Sequence, residues 1–157
     1  MEQQITGSLA VFNQLYKEMD EIYHQYAKRH GLSNTALWLL YSLFESDAAP
    51  TQSALCSAWH YTPQTLNSTL KGLEKQGLIA LKAVPGNRKN KYIIPTEKGR
   101  EILRQIIAPL VCAEQETFQA LAPQERETLL ALTRKYISLL QAQIQATGKT
   151  PLVPPTK

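Results

Sequence analysis

Cysteine is scarce in this chain: Cys56 and Cys112 are the only two, far apart and in no CxxC pairing. That excludes a disulfide framework, and both are expected to be free thiols of a cytoplasmic protein. The three histidines, His24, His30 and His60, show no i, i+4 pairing and have no cysteine beside them. No metal site is therefore expected, and each His reads as a surface or capping residue. There is no run of eighteen apolar residues, so no membrane helix is expected. The polar opening MEQQITGS also lacks the cationic and apolar regions of a secretory signal. G-x-S-x-G, a phosphate-binding glycine loop and H-E-x-x-H are missing as well. No catalytic residue, cofactor or enzymatic activity is expected. At 157 residues and 43% hydrophobic content, the chain suits one domain with a sizeable core.

Charge of one sign is absent from two stretches. Residues 31–61 contain no Lys or Arg, and no Asp or Glu lies between Lys75 and Thr96. The net charge of +4 says little, but its placement says more. Residues 62–104 hold nine basic and three acidic residues, whereas 1–30 are net −1, 31–61 net −2 and 105–157 net +1. Positive potential should gather on one surface, and a polyanion is its natural partner.

That basic segment has a legible order. After Pro50, Thr51 is a plausible N-cap, and Leu55, Cys56 and Trp59 form one buried stripe. After His60 and Tyr61, Thr62 can cap a second helix, with Pro63 at the first helical position. Leu66, Leu70 and Leu73 follow at i, i+4, i+7, and Gly77 supplies the left-handed stop. Gln64, Thr65, Asn67, Ser68 and Lys71 then face outward. This face is short-chained and nearly free of carboxylates, which suits a DNA major groove, where side chains must reach base edges beside phosphates. Ile79 to Val84 reads as a strand, Pro85-Gly86-Asn87 as a turn and Lys91 to Ile94 as the return strand. Arg88 and Lys89 occupy the tip, with Lys91 just behind. Two short helices followed by a basic hairpin describe a winged helix-turn-helix.

Across nearly all of residues 5–146 the sequence resembles the MarR family of bacterial transcriptional regulators. The resemblance is carried by Leu32-Ser33 opening the second helix, by Thr51-Gln52 and Leu55 in the third, and by LEKQGLI from Leu73 to Ile79. The hairpin and PTEKGR from Pro95 to Arg100 complete it. The resemblance implies a homodimer that binds a pseudo-palindromic operator in double-stranded DNA, often as a repressor, and that many relatives release in response to a small molecule or oxidant. It makes Thr62–Gln76 the recognition helix and Lys82–Ile94 the wing. In the expected division of roles, Thr62 caps the recognition helix, and Gln64, Thr65, Asn67 and Ser68 read bases. Lys71 and Lys75 anchor phosphates, while Arg88, Lys89 and Lys91 reach the flanking groove or backbone.

The wing departs from the family pattern, in which Asp-x-Arg-Ser or Asp-x-Arg-Ala stands seven to nine residues before the Thr of TEKG. Here Asn87, Arg88, Lys89 and Asn90 occupy those places. Asn replaces the Asp and Lys replaces the Arg, so the usual ion pair is absent and Lys cannot reproduce the planar guanidinium fork. Looser or shifted wing contacts are expected. The same departure leaves open an adaptor whose winged lobe binds a protein partner instead of DNA.

The chain ends point to dimerisation. Ile5, Leu9, Phe12, Tyr16, Met19, Tyr23 and Tyr26 recur in alternating four- and three-residue steps. After Thr96 a fifth helix carries Ile102 to Leu121, with Pro109 expected to bend or disturb it. A sixth helix begins near Pro123, and its stripe runs from Leu129 to Ile144. The expected class is mainly α with a small β-hairpin wing: a winged helix-turn-helix with long terminal dimerisation helices. As one domain over 1–147, it has dimerisation helices at 5–30 and 96–146, a DNA-binding lobe at 32–95 and a flexible Pro-rich tail at 148–157. In the second helix Leu37, Leu40 and Phe44 form the stripe, with Trp38 and Tyr41 on its flank. The resemblance implies a cleft for a small aromatic or amphipathic effector there, to which Trp38, Tyr41 and Tyr16 are assigned. Packing of Trp38 and Tyr41 on the dimer helices is the alternative. Cys56 reads as a buried small hydrophobe and Cys112 as partly exposed, without cationic neighbours that would activate it.

Overall fold

Hydroxyl side chains start four of the helices. Ser33 Oγ accepts from the Ala36 amide at 3.1 Å, Thr51 Oγ1 from Ala54 at 3.3 Å, Thr62 Oγ1 from Thr65 at 3.2 Å and Thr96 Oγ1 from Gly99 at 3.0 Å. Each bond pairs an amide that the first helical turn leaves without a partner. In the computed structural model, which describes residues 6–148, these caps open α2 (Asn34–Glu45), α3 (Gln52–Trp59), α4 (Pro63–Lys75) and α5 (Glu97–Ile102). A long α1 (Gly7–Arg29) precedes them. Strands β1 (Ile79–Val84) and β2 (Asn87–Pro95) lie between α4 and α5, and α6 (Ala108–Ala120) and α7 (Pro123–Thr147) follow. Ile5 and the tail from residue 149 onward lie outside the described residues. The chain divides into two compact units, 1–111 and 112–157.

The first unit is built around α2. Leu37, Leu39, Leu40 and Leu43 are buried there, and α2 packs against α1, α4, β2 and the segment after α5. From α4 the predicted stripe Leu66, Leu70 and Leu73 is fully buried, and Leu55 of α3 and Ile93 of β2 close the same core. Phe44 is a correction: it is 39% exposed, and Leu39 and Leu43 are buried instead. Elements on several sides of α2 widen its apolar surface beyond one helical stripe.

Two backbone features connect these elements. At the end of α4 the Gly77 amide bonds the Glu74 carbonyl at 2.9 Å and the Leu78 amide bonds Leu73 at 2.9 Å, with Gly77 at φ 71°. This is a Schellman stop, and it turns the chain straight into β1. After α5 the expected fifth helix is interrupted by a π-helical turn, Leu103–Ile107. The Ala108 amide bonds the Leu103 carbonyl, five residues back. The widened turn lies just before Pro109, which has no amide hydrogen and crowds the preceding turn. Leu103, Ile106 and Ile107 are buried, and the Tyr26 hydroxyl of α1 donates to the Ile106 carbonyl at 2.7 Å.

In the second unit Pro123 occupies the first turn of α7, and the Ala122 amide donates to the Glu125 carboxylate at 2.7 Å. Leu129, Leu132, Ile137 and Ile144 are exposed along α7. Leu9, Leu15, Met19 and Ile22 of α1 are exposed in the first unit.

Candidate nucleic-acid interface

The two short helices meet through a tight turn. His60 closes α3 in the left-handed region at φ 54°, Tyr61 follows, and Thr62 with Pro63 starts α4. With Leu66, Leu70 and Leu73 buried, Thr62, Gln64, Thr65, Asn67, Ser68, Lys71 and Lys75 are all exposed. Thr62 and Thr65 pair their hydroxyls at 2.9 Å, so both contribute to the cap. Asn67 is partnered from α3: Gln52 Nε2 donates to Asn67 Oδ1 at 2.9 Å.

The wing is a two-residue hairpin with an enlarged return arm. β1 and β2 pair antiparallel from Ile79↔Pro95 to Ala83↔Lys91, and the register then jumps to Val84↔Asn87. Arg88, Lys89 and Asn90 therefore have no opposite number on β1 and form a bulge. The return strand begins at Asn87, four residues before the predicted Lys91, because the turn itself is only Pro85-Gly86. Asn87 Oδ1 organises the bulge by accepting from the amides of Lys89 and Asn90, each at 3.2 Å. Arg88 and Lys89 are exposed, and Lys91 is half-buried.

Both parts are fastened to the start of α3. The Ile93 amide donates to the Pro50 carbonyl at 2.9 Å, and Thr51 bridges Tyr92. Asn90 Nδ2 donates to Ser53 Oγ at 2.9 Å, while the Ser53 amide donates to Asn90 Oδ1 at 3.2 Å. A groove of about 450 Å³ separates α3, the start of α4 and the wing, lined by Gln52, Ser53, Asn67, Asn87, Lys89 and Asn90 among others. Half-buried Cys56 also lines it, so this residue is less enclosed than its stripe implies.

Ion pairing sharpens the charge asymmetry. Arg100 bonds Glu97 at 2.7 Å, and Arg104 bonds Glu101 at 2.6 Å with Glu97 at 3.6 Å. The Arg100 guanidinium, helped by Arg104, holds the Glu97 carboxyl below its ordinary range. Arg104 and Gln105 do the same for Glu101. Lys98 Nζ donates to the Gln76 carbonyl at 2.9 Å. Among the described residues, Lys71, Lys75, Lys82, Arg88, Lys89 and Lys91 enter no ion pair. The acidic partners within 62–104 are thus largely consumed on α5, and the uncompensated cations lie on α4 and the hairpin.

The assigned effector residues separate into a cluster and an outlier. Trp38 stacks on Trp59 at a centroid distance of 5.2 Å and meets Tyr23 at 4.8 Å and Tyr41 at 5.5 Å. Trp59 Nε1 donates to Ser42 Oγ. Trp38 and Tyr41 thus pack together across α1, α2 and α3, whereas Tyr16 is 63% exposed. Cys112 is exposed, and its thiol faces the Glu116 carboxylate at 3.7 Å. His30 closes α1 and meets Tyr26 at a tilted ring contact of 4.6 Å, and His24 bonds Asn34 at 3.1 Å. The bracing contacts of Gln52, Ser53 and Asn90 escaped the sequence reading, because their partners lie 15 and 37 residues away.

An exposed polar helix beside a cation-tipped hairpin, both tied to the helix before it, defines a winged helix-turn-helix protein. Residues 30–89 match the model of the MarR family. The transcriptional repressor MprA of Escherichia coli K12 is 28% identical over 119 residues, covering 75% of this chain and 68% of MprA. The fold is shared with S. aureus MepR in its DNA complex, at a TM-score of 0.69 and 23% identity over 87% of this chain and 99% of that one. Sco3205 of Streptomyces coelicolor, also solved with DNA, has a TM-score of 0.68 and 23% identity over 90% and 92%. The chain thus has the winged-helix fold of these proteins, and its residues 30–89 are similar to the MarR family.

Proposed function

We propose that this protein is a sequence-specific, DNA-binding transcriptional regulator, a repressor that acts in the cytoplasm as a homodimer on a pseudo-palindromic operator. The observation that carries the proposal is the groove-sized face of α4, polar and exposed, set beside six cations that no carboxylate neutralises among the described residues. Kinship with a transcriptional repressor and the fold shared with two proteins solved on DNA support it. Gln64, Thr65, Asn67 and Ser68 face base edges, Lys71 and Lys75 face phosphates, and Arg88, Lys89 and Lys91 reach the flanking backbone or minor groove. Thr62 orders the N-terminus of the reading helix.

Exposed aliphatic residues on α1 and on α7 support a second copy of the chain as their cover, since apolar patches of that extent rarely face water on a monomer. Two-fold symmetry would set the two reading helices about 34 Å apart, one turn of DNA. A small aromatic or amphipathic effector at Trp38, Tyr41 and Tyr16 would act by favouring one spacing of those helices, which requires unequal affinity for the two states. The reaction chemistry of an enzyme has no part in this scheme.

The test is binding to DNA from the promoter region beside the protein's own coding sequence, measured over a range of salt. Specific affinity that falls steeply with salt is expected for a regulator. Equal affinity for that DNA and a random duplex would defeat the proposal and favour an adaptor that binds protein.

A further inference from the structure

The wing lacks an acidic residue to brace it, yet its bulge is not loose. We propose that Asn90 is the positioning residue of the wing: its amide hooks the tip onto Ser53 and so aims both Arg88 and Lys89 at phosphates. This rests on the DNA-binding proposal and deepens it.

The fit is chemical. Ser53 lies in the first turn of α3 and presents an amide hydrogen, which that turn cannot pair, next to its own hydroxyl. A carboxamide carries an acceptor and a donor in one plane and meets both: Ser53 N–H reaches Oδ1 at 3.2 Å and Nδ2 reaches Ser53 Oγ at 2.9 Å. The backbone amide can only donate, so it sets which end of the Asn90 side chain faces it. Asn90 is half-buried whereas Arg88 and Lys89 are exposed, and all three lie in the bulge between Val84↔Asn87 and Ala83↔Lys91. Asn87 adds two bonds to amides within the bulge.

A neutral brace differs from an ionic one in a way that can be measured. An acidic brace would occupy a cation of the wing, whereas here, among the described residues, neither Arg88 nor Lys89 has an ion-pair partner. The brace itself should be indifferent to salt, and both charges remain available to release counterions.

The experiment combines amide hydrogen exchange of the free protein with DNA titrations from 50 to 300 mM salt, on the parent chain, Asn90→Ala, Ser53→Thr and Arg88→Ala/Lys89→Ala. Asn90→Ala should speed exchange at the Ser53 amide at least tenfold, with the helices otherwise protected. It should also lower the salt slope by one to two units, roughly as Arg88→Ala/Lys89→Ala does at about 0.9 unit per phosphate. Adding Asn90→Ala to the double variant should lower the slope no further. Ser53→Thr keeps both bonding groups and should preserve protection and slope. Unchanged exchange at Ser53 in Asn90→Ala would overturn the brace. Faster exchange with an unchanged salt slope would overturn its role in aiming the cations. A parent chain without salt-dependent specific binding would instead overturn the underlying DNA proposal, with the exchange result standing apart.

Discussion

Replacing Gly99 by alanine should damage this fold although alanine is the better helix former. Gly99 lies in α5, within the PTEKGR run, and is buried. By helix propensity alone the substitution would gain about 1 kcal/mol. A Cβ built there, however, would stand 1.9 Å from the Leu78 carbonyl oxygen and 3.0 Å from its carbon. Ordinary contact begins near 3.4 Å, so α5 and the start of β1 must part by about 1.5 Å, the kind of overpacking that costs about 1–3 kcal/mol and sometimes more. Leu78 cannot yield cheaply. Its carbonyl accepts from the Thr96 amide at 3.0 Å, its amide closes the Schellman stop of α4, and Thr96 Oγ1 donates to the Gly77 carbonyl at 2.6 Å. Losing one such bond adds about 1 kcal/mol. The net expectation is destabilisation by about 1–3 kcal/mol, or a fall in Tm of about 2–12 °C at matched protein concentration. Gly72 in α4 is the control. A Cβ there meets nothing within 4 Å, so Gly72→Ala should stabilise by about 0.5–1 kcal/mol. Calorimetry in which Gly99→Ala melts at or above the parent, while Gly72→Ala shows its gain, would refute the steric reasoning.

Asn67→Ala should relax the preference between operator and random DNA, whereas Lys71→Ala should weaken both alike and reduce the salt slope by about one unit; competition titrations separate the two. Leu15→Glu with Ile22→Glu on the exposed face of α1 should shift the protein toward monomer in sedimentation velocity, and an unchanged dimer would remove α1 from the interface. The depressed Glu97 and Glu101 carboxyls contribute stability that is present above the ordinary carboxylate range and is lost as pH falls through their lowered values. Glu97→Gln should therefore lower stability at neutral pH and lose that difference as pH falls through the carboxylate range, so its stability should decline less on acidification than the parent's; parallel acid titrations would contradict this.

Much of the lobe was legible in the chain because its signals are short-ranged. The hydroxyls of Ser33, Thr51, Thr62 and Thr96 lie three residues from the amides they cap, and Leu66, Leu70 and Leu73 share one face by helical period alone. Gly77 stops α4 through bonds confined to six residues. Charge placement also needed no coordinates, although which cations remain uncompensated depended on the Arg100 and Arg104 pairs with Glu97 and Glu101.

What periodicity could not reach were choices made between elements. Leu39 and Leu43 rather than Phe44 are buried in α2 because elements pack on several of its sides. The extra residues of β2 are visible only against the register of β1. Amino-acid order by itself therefore determined where helices start and stop, which faces are apolar and where positive charge collects. Tertiary structure alone decided that Asn90 meets Ser53 and Gln52 meets Asn67, because side chains 37 and 15 residues apart come within hydrogen-bonding distance only after the core has fixed the positions of α3, α4 and the wing.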